Sequence, residues 1–286
     1  MTPFAVCTRF ALGAAALAVI GLTAPGRSAI AAGDQVELAS HRAIYDLKLS
    51  EARGRRQLTS AQGRIVYDFS GNACEGYALQ FRQVTRLDNG EGKVVLSDLR
   101  SATWEDGTAK SYRFNFQNFL SERLVDTVDG RASRGPQAIA VSLAKPDNKQ
   151  FDVDPGVVFP TEHIRRIVTA ARERKTILEL PVYDGSETGE KLYNTLTVIG
   201  NRIAPGEQKV DDAAAGQAVL EGLSRWPVTI SYFDRSNQRA EQTPVYSIKF
   251  ELYENGISRA LVLDYGDFAI SGTMTTLELR DTKPCH

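Results

Sequence analysis

Histidine and cysteine are scarce in this 286-residue chain, with three of each. None of His41, His163 and His286 has a second His or a Cys at ligand spacing, so no zinc centre is expected. A Gly-x-Ser-x-Gly elbow is missing, and no Ser, His and Asp set stands out as a nucleophilic triad. The stretch from Gly185 to Lys191 comes nearest to a phosphate loop. It has one residue too few between its glycines and a Glu before the Lys, so it reads as a hairpin turn. Asp152-x-Asp154-Pro-Gly lacks the spacing and closing Glu of a calcium loop and reads as a turn before a helix. Basic runs are absent as well: 34 Lys and Arg face 35 Asp and Glu, for a net charge of −1. Such a chain carries no electrostatic footprint for nucleic acid. Neither cofactor nor metal is implied, and the chain is not expected to be an enzyme.

Long apolar runs are also missing, with one exception near the start. Arg9 precedes an apolar stretch from Phe10 to Leu22, which Pro25 and Gly26 end before the small residues Ala29-Ile30-Ala31. A membrane-spanning helix needs about 20 apolar residues, so this layout reads as a cleavable secretory signal over residues 1–31. Cys7 lies before the apolar run, which argues against lipidation. Removal of the signal takes away two arginines and no acid, leaving a net charge of −3. The mature chain, 32–286, is then exported, not membrane-spanning, and read as one domain, because no linker or composition shift divides it. In an oxidising compartment its two remaining cysteines, Cys74 and Cys285, are expected to pair.

What the chain has in abundance is alternation. In Ala43 to Leu49, for example, Tyr45, Leu47 and Leu49 share one face. Similar segments lie near 62–69, 77–87, 93–104, 110–119, 122–129, 137–144, 176–183, 192–203, 227–234, 244–254, 257–265 and 268–280. Turn signals such as Asp88-Asn89-Gly90, Asp129-Gly130 and Glu254-Asn255-Gly256 separate them. One stretch changes period. From Thr161 to Lys175, Ile164, Ile167, Val168 and Ala171 fall at i, i+3, i+4 and i+7, which is one face of a helix. Thr161 is placed to cap it, and Arg172 and Arg174 suit its negative end. A second, shorter helix is expected within 212–223, with Asp211 and Asp212 as its solvated start. The expected fold is mainly β, a strongly curved antiparallel sheet around one long helix, and alternation alone does not separate it from a closed barrel.

Several local patterns recur together in one family. They are Ser40-His41-Arg42-Ala43-Ile44-Tyr45-Asp46-Leu47, Phe159-Pro160-Thr161-Glu162-His163, Tyr183-Asp184-Gly185-Ser186 with Gly189 and Lys191, and Leu263-Asp264-Tyr265-Gly266-Asp267-Phe268. Over essentially the whole mature length the chain resembles the cell-envelope integrity protein EipB family of alphaproteobacteria. The two cysteines also resemble that family's disulfide. The resemblance implies a periplasmic, non-enzymatic protein with a β-spiral fold similar to the lipoprotein carrier LolA and its outer-membrane receptor LolB. It also implies a link to a periplasmic tetratricopeptide-repeat protein. Three readings of function follow. The chain binds a lipid, a lipoprotein segment or a partner in a groove lined by Ile164, Ile167 and Val168. Alternatively it is a protein-binding scaffold with a packed interior, or a hydrolase that uses His163 as a base.

Overall fold

The computed structural model describes residues 36–53, 58–92, 94–236, 243–282 and 285, so the expected signal at 1–31 lies outside the described residues. Within the unit Val36–His286, fourteen strands form a single antiparallel sheet ordered β8-β7-β6-β5-β4-β3-β2-β1-β14-β13-β12-β11-β10-β9. They are β1 (His41–Ala52), β2 (Ser60–Asn72), β3 (Gly76–Asp88), β4 (Val94–Glu105), β5 (Ser111–Leu120), β6 (Arg123–Arg134), β7 (Ile139–Lys145), β8 (Lys149–Val153), β9 (Ile177–Val182), β10 (Tyr193–Ile199), β11 (Arg225–Asp234), β12 (Tyr246–Tyr253), β13 (Ser258–Asp264) and β14 (Phe268–Leu279). Neighbours in sequence are neighbours in the sheet, except that β8 and β9 form its two edges and β1 pairs with β14 to join its two halves. The sheet is therefore open and curved, and the expected class is correct. It nearly meets itself: Val158, just after β8, donates its N–H to Pro181 O at 2.9 Å and accepts the Tyr183 N–H at 3.0 Å beside β9. That contact covers an edge which would otherwise offer free backbone groups.

Helix α1 spans Pro160–Arg172 and packs on the inner face of the sheet. Ile167 and Val168 are wholly buried among Tyr45, Leu47, Ile65 and the aliphatic residues of β11 to β14. Each contributes about 1.5–3 kcal/mol by burial. A second core lies under β5 to β8, where Tyr112 stacks on Phe114 and Phe159, and Phe114 meets Tyr183 edge to face. The 184–191 turn folds over this core. Gly185 sits at φ +71°, and a Cβ there would come within 2.5 Å of the Phe114 ring. Among the described residues no helix is long and apolar enough to cross a membrane.

Several expectations are corrected. Strand β8 carries no alternation signal strong enough to be read from sequence. Asp129-Gly130 is not a hairpin turn but a bulge inside β6, where the register against β7 shifts. Thr161 does not cap α1. Phe159 is the N-cap, Pro160 takes the first helical position, and the Thr161 and Glu162 N–H groups both donate to the Glu105 carboxylate of β4 at 2.7 Å. The shorter helix α2 covers only Ala218–Glu221. Asp212 is no solvated helix start, because its side chain is 2% exposed and pairs with Arg259 at 2.8 Å.

Candidate functional site

The residues singled out from sequence fall in three places. Cys74, in the turn between β2 and β3, is bonded to Cys285 beyond β14, with Cα atoms 5.7 Å apart. The bond links the segments that follow β2 and β14, the two strands that flank β1. His163 is 2% exposed, with its Nε2 3.4 Å from Thr195 Oγ1. Burial first, and then the Arg166 charge, pull its pKa down to about 4. The imidazole is therefore neutral at pH 7 and enclosed by the core.

The helix groove is largely closed. Ile167 and Val168 have no exposed surface at all, so they are core and line no groove. Among the described residues Ile164 borders a small cavity, with His41, Tyr67, Phe69 and Leu79 also lining it. Its volume is about 80 Å³, well below the roughly 300–1,000 Å³ of an ordinary ligand pocket. The apolar side chains at helical spacing are drawn against the sheet by the same burial that forms the helix, and that contact fills the space between them.

The large concavity lies elsewhere. Side chains alternate across a strand, so the residues between Tyr77, Leu79, Thr103 and Phe114 point to the face away from α1. There the register sets Ala78, Trp104, Arg113, Arg131, Ser142 and Gln150 abreast across six strands. A second row beside it runs from Arg42 through Asp68, Gln80, Ala102 and Asn115 to Asp129. Together they line a trough of about 960 Å³ that adjoins one of about 430 Å³, with Gln80, Ala102 and Asn115 common to both. Small side chains at 78, 102 and 144 lower its floor, and Trp104 forms a wall. The Trp104 ring rests on the backbone of Gly76, where a Cβ would come within 2.7 Å of it. On the neighbouring strand the Arg113 guanidinium lies 5.5 Å from its centroid.

The trough is electropositive in a chain of net charge −1. Arg42, Arg82, Arg100, Arg113 and Arg131 line it against the two acids Asp68 and Asp129. Arg82 and Arg100 clamp the buried Asp98 carboxylate with four contacts of 2.7–3.1 Å. Arg82, then Arg100, hold Asp98 down at about 2, so the clamp stays charged at neutral pH. Asn115 Nδ2 donates to Asp129 at 3.3 Å, and Asp68 accepts from Arg280 at 2.7 Å. By contrast, among the described residues Arg42, Arg113 and Arg131 have no carboxylate partner, and the buried Nε of Arg42 has no hydrogen-bond partner. Sequence reading missed this site. Its residues are single positions on the eight strands β1 to β8, and only the register brings them into rows.

An open antiparallel sheet with these proportions is β-barrel-like, and its match to a β-barrel-like protein of a domain of unknown function from Brucella abortus has a TM-score of 0.79 at 35% identity, covering 86% of this chain and 100% of that one. Residues 32–281 match the family described as EipB-like. The chain is 36% identical over 269 residues to the cell envelope integrity protein EipB of Brucella abortus strain 2308, covering 94% of each. It belongs to the EipB-like family, and with that family comes a role in cell-envelope integrity.

Proposed function

We propose that the chain is an exported, non-catalytic binding protein of the periplasm, cut after residue 31 and folded from 32–286 as one domain, and that it supports the envelope by holding a ligand in the trough of β3 to β8. The observation that carries this reading is the pair of adjoining concavities, about 960 and 430 Å³, lined by five arginines of which Arg42, Arg113 and Arg131 have no carboxylate partner among the described residues. Leaving several cations unneutralised on one concave face costs folding stability through self-repulsion, and a bound anion offsets it. The helix cavity of about 80 Å³ is too small for an acyl chain, which weighs against a lipid carried beside Ile164. The burial of His163 weighs against a hydrolase. The family match beginning at residue 32, where cleavage is expected, supports export.

The test is complementation in a strain lacking the protein. The double variant Arg113→Glu with Arg131→Glu is expected to fold with a near-normal Tm and to fail to restore resistance to detergent and to cell-wall antibiotics. Ile177→Asp, at a position 58% exposed on β9, is the control that retains support. A folded charge-reversed protein that restores resistance fully would remove the trough from the function.

One observation favours a scaffold reading, in which a protein partner such as a tetratricopeptide-repeat protein docks. Val94, Val95, Leu96, Leu120 and Leu124 are each 37–47% exposed at one end of β4 to β6. Val94, Leu96 and other exposed apolar side chains gathered at one end of a sheet in this way suit a protein contact. Leu96→Asp with Leu124→Asp separates the two readings, since it leaves the trough intact.

A further inference from the structure

We infer that the occupant of the trough is an anionic saccharide chain carrying carboxylates, bound across the strands. This rests on the trough being the functional site, and the observations that name the ligand class are separate from those that locate it. Trp104 lines the trough half-buried, with the Gly76 backbone against its ring and the Arg113 guanidinium over it, 5.5 Å from the centroid. An indole and a guanidinium held together in this way offer a charge to a pyranose carboxylate and a flat neighbour to the sugar's C–H face. Along the trough lie the primary amides of Gln80, Asn115, Asn148 and Gln150. An amide presents donors and an acceptor side by side, which suits hydroxyl groups that both give and accept hydrogen bonds. Arg113 and Arg131 lie directly opposite each other on β5 and β6. Their planar forks match carboxylates bidentately.

The geometry fits a polymer. Adjacent strands are about 4.8 Å apart, a step close to the length of one sugar unit, so the two rows repeat at the spacing of a glycan laid perpendicular to the strands. An acyl chain would need large apolar walls, whereas this floor is alanine and amide. A polyphosphate or nucleic acid would meet Asp68 and Asp129 among the cations. A sugar satisfies those two acids with its hydroxyls and the free arginines with its carboxylates. Carboxylated glycans come from two sources in an envelope: uronate-bearing surface polysaccharide, and denuded cell-wall strands, whose muramyl carboxylates are free once the stem peptides are removed.

Titration calorimetry on the full mature, oxidised protein tests the inference with hexagalacturonate, soluble muramyl glycan strands, neutral cellohexaose and polyglutamate. At least one of the two acidic glycans is expected to bind, and which one does so assigns the source. Cellohexaose should bind at least tenfold more weakly, and polyglutamate should not displace the glycan. Trp104→Ala, and separately Arg113→Ala with Arg131→Ala, should each weaken binding at least tenfold while melting as the parent does. If neither glycan binds, or if polyglutamate competes equally and Trp104→Ala binds normally, the saccharide inference is overturned. The charge-reversed protein distinguishes that failure from failure of the site. Loss of envelope support without glycan binding leaves the trough functional with another ligand, while retained support removes both.

Discussion

Glu105 is buried to 1% exposure, yet its carboxylate receives two N–H groups from the first turn of α1. Burial pushes its pKa up to about 7, with the two hydrogen bonds acting in the opposite sense. The folded state thus holds this proton more tightly than the unfolded chain, whose value is near 4.5. Stability contributed by the neutral form is complete below pH 4.5 and is lost as pH rises through 7. Comparison of Tm against pH should show a fall in that window which Glu105→Gln lacks, at most about 1.4 kcal/mol per pH unit. His163 has the opposite sign. Its pKa falls from 6.5 to about 4 on folding, so its contribution is present above pH 6.5 and is lost as pH drops towards 4. His163→Gln should flatten the acid limb of the same curve and leave the alkaline limb unchanged. A parallel curve for either variant would mean that the group titrates alike in both states.

At the scale of the element, α1 is held by its packing more than by its caps. Ile167 has no exposed surface, whereas Ile164 keeps some beside the small cavity. Ile167→Ala should therefore cost about 2–5 kcal/mol in denaturant unfolding, and Ile164→Ala distinctly less. Ile167→Glu buries a charge without a partner and should unfold the domain, so any loss of function it causes reports on folding. Equal costs at the two positions would contradict the closed groove. The same inward burial explains why the helix, the most legible element of the sequence, is not where the large concavity lies.

At the scale of the whole molecule, the chain's two ends are tied together twice. Backbone pairing of β1 with β14 joins the first strand to the last, and the Cys74–Cys285 bond spans 211 residues of sequence across the same seam. The chain-entropy model assigns such a loop roughly 5 kcal/mol, and measured effects are commonly about 2–4. Cys285→Ser should lower unfolding stability by about 2–4 kcal/mol, and the difference should vanish when the parent is reduced. Alkylation of the oxidised mature protein should label no thiol. Two labelled cysteines in freshly isolated protein would exclude the bond in vivo.

Thirteen of the fourteen strands and the position of α1 could be read from the order of residues, because alternation at period 2 and the 3.6-residue spacing of Ile164, Ile167 and Val168 are local consequences of having one buried face. The two cysteines left after signal removal made a bond easy to anticipate for a similar reason. Other features depended on contacts between distant residues. The cap on α1 comes from Glu105, more than fifty residues upstream, and Asp212 is buried because Arg259 meets it. The trough required the most tertiary information. Gln80, Trp104, Asn115 and Arg131 are ordinary solvent-face residues on their own strands, and sequence sets only which face each one takes. Their alignment into rows depends on interstrand register, bulges included, and the hollow beneath them on how the twisted sheet curves; both are properties of the pairing among strands and of no single segment.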